Sequence, residues 1–446
     1  MACTGSNPKG YEQFESNVPN VRPEMLYPDF WIKDGFGKIL MTEAEINDFN
    51  RRLCEKYPVP FELEQYPASI TKEKLLELVN KASAIPAGTL YDAKGEPLSP
   101  QYWTALAANL NTGGAADFIP VRFGLTVRRT EMRRLPGAGR VFDEPGDYEF
   151  DCLIETAIYP AEPLAILHTS KDGQWYFAQM YNYLAWIPAA DVAVGSREAV
   201  LGFAGHNPFL VVTGSRVRTN YNPFDASLSE LPLYMGVRLP LAGREEIPAS
   251  VNNHNPAGNF VVKLPVRDER GNLVTQLAFI PRTSDVSPGY LPYTTENVLR
   301  QAFKAQGERY GWGGMFNARD CSALVMDTFA TMGLKLPRNA GEQEHSFGKY
   351  CPLPEAMPLE ERSKLFDGLE PGTTLYSKGH VMLYLGKHGQ EYYMIHALSR
   401  FCRQEGGELK EYKSRETLVT PLLSIYTAYR KIFMEALTGV RQFVMP

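Results

Sequence analysis

Three stretches in the first quarter of the chain carry apolar residues at helical spacing, the first and third behind a start signal. Thr42-Glu43-Ala44-Glu45 has the S/T-x-x-E form of a capping box and leads into Ile46, Phe49 and Leu53 on one face. Tyr57-Pro58-Val59-Pro60 ends that pattern, because a residue before proline is pushed toward extended backbone. A second pattern spans about 71–82, with Leu75, Leu76 and Val79 inward. A third opens at Ser99-Pro100, serine as cap and proline in the first helical position, and runs through Trp103, Leu106 and Leu110. Asn111-Thr112-Gly113-Gly114 breaks it. Residues 1–30, rich in Asn, Pro, Gly and Ser, are expected to form an extended arm, so 1–114 reads as a helical N-terminal segment.

From about 115 to 285 the helical period vanishes. FIPVRFGLTVRRT, FDCLIETAIY, PLAILHTS, QWYFAQMY and YLAWIPAADVAV are short strand-type runs with turn residues between them, a spacing that predicts small barrels. Phe209–Arg216, Tyr234–Pro240, Phe260–Pro265 and Leu273–Ile280 form a second set, with Asp268–Asn272 as the hairpin turn between the last two. The boundaries expected are 115–202 and 203–287. Most aromatic residues here read as barrel core.

In the last third, 288–446, the pattern changes again. Asn297–Gln306 is helical, with Val298, Leu299 and Ala302 inward. The turn residues Gly311, Gly313 and Gly314 then lead through Asp320-Cys321-Ser322 into a helix with Leu324, Val325, Thr328, Phe329 and Met332 on one face, stopped by Gly333. Cys321 therefore lies at a helix N-terminus, where unpaired N–H groups and the helix dipole favour an anion. A thiol so placed is expected to have a lowered pKa and to be partly thiolate. Further on, Val381–Leu385 and Tyr392–Ile395 flank the polar turn Lys387-His388-Gly389-Gln390, a β-hairpin that sets His380 and His396 opposite each other to within about one residue. Strands are expected at 373–378, 380–386 and 391–398, with a last apolar segment at 420–434.

Composition narrows the classes. At 446 residues the chain suggests two to four domains. A net charge of −5 and the lack of a basic run give no reason to expect nucleic-acid binding. No apolar run approaches the ~20 residues of a membrane span, and a monomer is expected. Cys3, Cys54, Cys152, Cys321, Cys351 and Cys402 are scattered without a C-x-x-C pair, against a zinc ribbon or a disulfide framework. Cys321, His380 and His396 could in principle hold zinc, but HExxH and a second nearby cysteine are lacking, so no metal or cofactor is expected.

YGWGG, DCSALV, GHVMLYLG and IHA, in this order over about 286–446, resemble the catalytic domain of the NlpC/P60 cysteine peptidases of bacterial cell walls, with Ala323 where the family more often has Gly. The resemblance implies a papain-like α+β domain that cleaves the γ-D-glutamyl–L-diamino acid bond of peptidoglycan stem peptides. Cys321 would be the nucleophile, His380 the base, His396 the residue that orients it, and Tyr310 a hydroxyl donor at the oxyanion. Asp320 and Ser322 would line the floor and, as in SH3-bearing relatives, contact the D-Glu part of the substrate. Asp172–Tyr176 followed by Tyr183–Ile187 resembles a bacterial SH3-like domain, which adds Tyr183 to the substrate side, and two such domains before the peptidase would match one architecture of the family. Arg338-Asn339-Ala340 departs from relatives that recycle free wall peptides. There an Asp-Ser follows the Arg, and the Asp, with an acid of the first SH3-like domain, holds a free L-Ala amine. Asn339 carries no charge, which leaves room for stem peptides still attached to glycan unless Glu162 or Asp191 restores it. A non-catalytic wall-binding protein with a decayed peptidase domain, and acyl transfer by the same Cys-His pair, are the alternatives. No signal peptide is visible, yet the start Ala2-Cys3-Thr4-Gly5-Ser6 resembles the mature start of a lipoprotein, so a cell-envelope or periplasmic location with lipid on Cys3 is a further expectation.

Overall fold

The computed structural model describes residues 16–57 and 61–446. Cys3, and the Pro58–Pro60 helix stop, lie outside the described residues. The protein mixes helices with antiparallel sheets.

The predicted N-terminal helices form at Glu43–Lys56, Lys72–Ala82 and Pro100–Asn109. The first and third start at the predicted caps, Thr42 and Ser99, and the second is capped by Thr71, whose hydroxyl accepts from the Lys74 N–H at 3.2 Å. Thr42 and Glu45 make the reciprocal box, with the Thr42 N–H donating to the Glu45 carboxylate at 2.7 Å, a cap of a kind that contributes about 1 kcal/mol. These helices do not pack on one another. Ile46, Phe49 and Leu53 enter the core of the C-terminal region, Leu75 and Val79 enter the β region, and Leu106 joins Leu135, Val141 and Leu153. The expected extended arm is corrected in part. Pro23–Leu26 and Pro28–Trp31 are single helical turns. Buried Met25 and Trp31 dock them on the C-terminal core, where the Trp31 indole donates to the Met25 carbonyl at 2.9 Å.

Two closed barrels are not what the β region forms among the described residues. The first set is a seven-stranded sheet in the order Val192–Gly195, Arg122–Thr126, Pro163–Thr169, Trp175–Met180, Tyr183–Pro188, Thr130–Arg133, Ile154–Ile158. Its two end strands do not pair with each other; Val194 instead bridges to Asn272 of the second set. The second set is split into three sheets of two or three strands. The reason is visible in the chain: long connections at 219–231 and 241–258, rich in Asn, Pro and Gly, interrupt the pairing. The Asp268–Asn272 turn does close the hairpin of Asn259–Arg267 with Leu273–Pro281.

The C-terminal region is built on a six-stranded antiparallel sheet, ordered Lys349–Pro352, Leu437–Gln442, Thr374–Ser377, His380–His388, Glu391–Glu405, Glu408–Pro421. The Cys321–Ala330 helix lies on it, with Val325 and Phe329 against Val381, Leu383 and Ile395. Three strands were not predicted, the first of them the short edge strand Lys349–Pro352. Glu408–Pro421 is too charged to read as a strand, and with Glu391–Glu405 it forms a long ribbon. Leu437–Gln442 follows the expected apolar segment and completes the sheet.

The β region clamps the Cys321 helix from behind. The Tyr159 hydroxyl donates to buried Asp327 at 2.6 Å, Arg319 donates to the same carboxylate at 2.7 Å, and the Asn182 amide donates to the Leu336 carbonyl at 3.0 Å.

Candidate active site

The site begins with a turn that only glycine can make. Gly313 and Gly314 have φ of +56° and +94°, and a Cβ on them would come within 2.4 Å of Ile154 and Ala157 respectively. The strand Ile154–Ile158 thus presses directly on the turn. The turn aims the Gly313 N–H at the Asp320 carboxylate, 3.0 Å away. Asp320 is also the helix cap, accepting from the Ala323 N–H at 2.9 Å. Cys321 is the first residue of that helix and is 7% exposed.

Arg338 holds this arrangement. It is fully buried and donates to Asp320 at 2.6 and 3.1 Å, to the Ser322 hydroxyl at 2.8 Å, and to Thr156 of the β region at 2.6 Å. Asp320 and Ser322 are both buried and spend their polar groups on Arg338 and on each other. Tyr310 is buried nearby, its N–H bonded to the Arg415 carbonyl at 2.8 Å. Its hydroxyl is held well above the usual phenol range by burial, then by the charge that Cys321 would carry, so the two groups are neighbours.

The histidines meet, though not in the register expected. Leu383 pairs with Ile395, after an irregularity between Tyr384 and Gly386. Continued toward the strand end, that register places His380 diagonal to His396 rather than opposite. The offset is two residues, so both side chains keep to one face of the pleat. His380 Nε2 lies 2.8 Å from His396 Nδ1, and His396 Nε2 lies 2.9 Å from the Thr420 hydroxyl. His380 is half-buried and His396 is fully buried. Burial pushes His380 down to about 4 and His396 well below the usual imidazole range, and the neighbouring His380 lowers His396 further. Both rings are therefore neutral near pH 7.

The expected lowering of the Cys321 thiol is overturned. Burial, then the Asp320 carboxylate, push it up to about 12, against the smaller opposing effects of the Val381 N–H, Arg338 and the Ser322 N–H. The helix N-terminus loses here because its first turn is dry and the nearest charge is negative.

Tyr183 is half-buried and its hydroxyl donates to the Glu155 carboxylate, which also accepts from Arg134 at 2.6 Å. Asn339 is exposed at the start of the short helix Ala340–Glu344, its N–H donating to Glu342 at 3.2 Å. Cys321, His380, His396, Tyr310, Asp320, Ser322 and Arg338 thus gather at one place, Tyr183 lies close enough for Arg338 to act on its hydroxyl, and Asn339 stands at the edge. The carboxylates that act on the Tyr183 hydroxyl are Glu155 and Glu342; burial raises Glu162 to about 7, and Asp191 is paired with Arg128. Thr156, Glu155 and Thr420 gave no signal in the sequence, since each joins the site only through the fold. The five cysteines among the described residues are all free, and those residues contain no cluster of three or more His, Cys, Asp or Glu suited to a metal. None of their helices is long and apolar enough to cross a membrane.

A groove of ≈ 1330 Å³ opens beside His380 and Tyr310. It is bounded by the 143–150 segment on one side, and by the Ser377–His380 turn and the 398–415 ribbon on the other. Asp320, Ser322, Arg338 and Tyr183 do not line it.

Comparison with known proteins places two family models on the chain: the NlpC/P60 family over residues 307–415 and an SH3 domain of SH3b1 type over 140–188. The bifunctional muramidase/DL-endopeptidase CwlT of Bacillus subtilis is 34% identical over 93 residues, 20% of this chain and 26% of CwlT. The chain thus spans about a quarter of that relative's length. An NlpC/P60 endopeptidase from Photobacterium damselae subsp. piscicida shares the fold, with a TM-score of 0.74, 18% identity, and coverage of 94% of this chain and 97% of that one. An NlpC/P60 family protein from Bacillus cereus matches at a TM-score of 0.45 and 18% identity, over 66% of this chain and 83% of its own.

Proposed function

We propose that this chain, which carries an NlpC/P60 family domain and an SH3b domain, is a cysteine peptidase of bacterial peptidoglycan that hydrolyses the bond between γ-D-Glu and the L-diamino acid of stem peptides. The observation that carries this reading is the chain of contacts from His380 to His396 to Thr420, beside a cysteine at a helix start. With Nε2 engaged by His396, His380 has Nδ1 left for the thiol. A proton on Nε2 is donated to His396 Nδ1, and His396 in turn donates from Nε2 to Thr420. This tautomer leaves Nδ1 a free acceptor.

The reaction follows from that. His380 Nδ1 takes the Cys321 proton as the sulfur bonds to the γ-carbonyl carbon of D-Glu. The oxyanion that forms is met by the Cys321 N–H and the Tyr310 hydroxyl, which stays protonated because of its burial. The C–N bond breaks, the diamino-acid nitrogen leaves with the proton from His380, and a thioester remains. Water then gives a proton to His380, adds to the thioester carbon and releases the D-Glu carboxyl group, and the proton returns to sulfur. Because the resting pair is neutral thiol and neutral imidazole, proton transfer accompanies attack rather than preceding it.

Asp320, Ser322, Arg338 and Tyr183 form the acyl side, where the γ-D-Glu unit sits. Two carboxylates act on the Tyr183 hydroxyl: Glu155, which Arg134 and Tyr183 already occupy, and Glu342, which accepts from the Asn339 N–H at 3.2 Å. With Asn339 uncharged, the acyl side offers a free L-Ala amine no carboxylate without a hydrogen-bond partner. We therefore take glycan-attached stems as substrates along with free ones. The peptidase domain spans 288–446, the modules at 115–202 and 203–287 build and support one wall of the site, and 1–114 braces both parts. The place of action is the cell envelope. Digestion of purified peptidoglycan, with mass spectrometry of the fragments and the Cys321→Ala chain as control, tests the reading. New diamino-acid amino termini are expected with the wild type alone; cuts at another bond, or in both samples, would overturn it.

A further inference from the structure

We infer that Glu149 and Phe150, which belong to the SH3b stretch and not to the NlpC/P60 stretch, are positioning residues for Tyr310, so that the hydroxyl donor at the oxyanion is held in place from outside the peptidase domain. This rests on the peptidase reading above. Tyr310 has little regular structure of its own. It lies between the helix Thr295–Phe303 and the glycine turn, in a segment joined to its neighbours by single bridges, Arg309 to Glu416 and Tyr310 to Arg319. Its N–H donates to the Arg415 carbonyl at 2.8 Å.

Arg415 stands at a break in the long ribbon. Arg400 pairs with Lys413 and Leu398 with Glu416, so Ser414 and Arg415 together face Ser399 alone, which is a bulge. Arg415 has φ of +52°, a left-handed conformation that a long L side chain keeps only where its surroundings enforce it. Those surroundings come from the β region. Glu149 accepts from Arg415 at 2.7 Å, and the guanidinium lies over the Phe150 ring at 4.8 Å. Among the described residues the buried Nε and Nη1 of Arg415 find no hydrogen-bond partner, so Glu149 is the group that fixes this side chain. The same carboxylate accepts from Arg309 at 2.5 Å. It therefore grips both the residue before Tyr310 in the chain and the residue whose carbonyl Tyr310 bonds. Glu149 is set in turn by its own N–H, which donates to the Asp147 carboxylate at 2.7 Å. Phe150 completes the support, with its ring 6.1 Å from that of Tyr310 and 5.8 Å from that of Trp312.

An oxyanion donor works only within about 2.7–3.1 Å of the place where charge develops. A misplacement of about 1 Å can cost about 10²-fold in rate. Glu149 also borders the groove, but its carboxylate is already taken by two guanidinium groups, which favours support of Tyr310 over contact with the substrate. Ion pairs that are partly exposed, as Arg309–Glu149 is, add little to global stability. The loss of Glu149 should therefore appear in catalysis before it appears in folding. The sequence alone hides this, because Glu149 stands 160 residues before Arg309 and reads as an ordinary solvated charge.

The test is a double-mutant cycle in the full chain, read as kcat and KM on a stem tripeptide. Tyr310→Phe should lower kcat by about 10²-fold, as the loss of one oxyanion donor does. Glu149→Ala should lower kcat by about tenfold or more with KM kept within about threefold, since a donor that is out of place weakens the transition state and not the ground state. In the Tyr310→Phe background the same Glu149→Ala change should cost less than about twofold, because the group it positions is already gone. Glu149→Gln, which keeps the shape and removes the charge, should lie between wild type and Glu149→Ala, and it carries the same comparison if Glu149→Ala does not fold. Losses that multiply independently, or a rise in KM with kcat kept, would overturn the inference. A second readout needs no turnover: with Tyr310 carried as meta-fluorotyrosine, its fluorine resonance should shift or broaden on Glu149→Ala, and an unchanged line would also overturn it. A wild type that cuts no stem peptide would strike the peptidase reading instead, and the fluorine line would then judge the positioning by itself.

Discussion

The Nε2 atom of His380 lies 2.8 Å from Nδ1 of His396, and His396 is itself held by Thr420 at 2.9 Å. Three residues on three neighbouring strands thus set which nitrogen of His380 is free. His380→Ala should reduce kcat nearly as far as Cys321→Ala, a loss of about 10³-fold or more, since it removes the proton carrier. His396→Ala should cost less. Thr420→Val, which keeps the shape and removes the hydroxyl, should cost about tenfold through the tautomer of His396. Steady-state rates on a stem tripeptide check the order; a Thr420→Val loss equal to that of His380→Ala would break the relay.

The burial of His380 fixes the acid limb of the rate profile. Its pKa in the folded protein is lowered to about 4 from the usual 6.5, so the base stays unprotonated well below neutrality. The plot of kcat/KM against pH should hold its plateau to about pH 5 and fall toward pH 4. A midpoint at 6.5 or above would contradict the buried neutral ring. The same shift bears on stability. As pH falls below 6.5 the unfolded chain gains a proton that the folded one refuses, so this contribution to stability is lost from about 6.5 down to about 4.

Cys321 should label slowly. With its thiol pushed up to about 12, the fraction present as thiolate at pH 7 is small. Iodoacetamide should modify it more slowly than an exposed reference cysteine with a pKa near 8.5. Mass spectrometry of the labelled peptides over time gives the two rates, and faster labelling of Cys321 would mean a preformed thiolate–imidazolium pair.

Arg338 is the buried tie between the Cys321 loop and the β region. Arg338→Met leaves Asp320 without its partner in a dry site, a change that typically costs about 3–5 kcal/mol. Arg338→Lys should be damaging too, because one ammonium cannot reach Asp320, Ser322 and Thr156 together. Urea unfolding of both variants measures this, and a loss under 1 kcal/mol would show that the network is dispensable.

On the acyl side Asn339 is uncharged, Glu155 is already paired, and Glu342 is engaged by the Asn339 N–H, so a free amine finds no carboxylate without a partner. The kcat/KM values for L-Ala-γ-D-Glu-diaminopimelate and its N-acetyl form should agree within about tenfold, about 1.4 kcal/mol. A preference above a thousandfold for the free amine would show that a charge has been restored.

The sequence by itself determined the local features. Capping residues started the helices at Glu43, Lys72, Pro100 and Cys321, because a cap acts within four residues of itself. The strands carrying His380 and His396, and the order of the Cys and His motifs, were legible for the same reason: period and turn chemistry are short-range. What only the tertiary structure decided depends on residues far apart. It turned the expected barrels into an open seven-stranded sheet and three smaller ones, because strand pairing depends on which edges meet and not on the strands alone. It reversed the direction of the Cys321 shift, since desolvation is set by everything packed around the sulfur and outweighs the helix end that the sequence displays. It brought Thr156, 182 residues away, to Arg338, and Thr420 to His396. It also brought Glu149 to Arg309 and Arg415, the two residues that flank the Tyr310 backbone. Local order is encoded within a few residues, whereas burial and field are properties of the assembled chain.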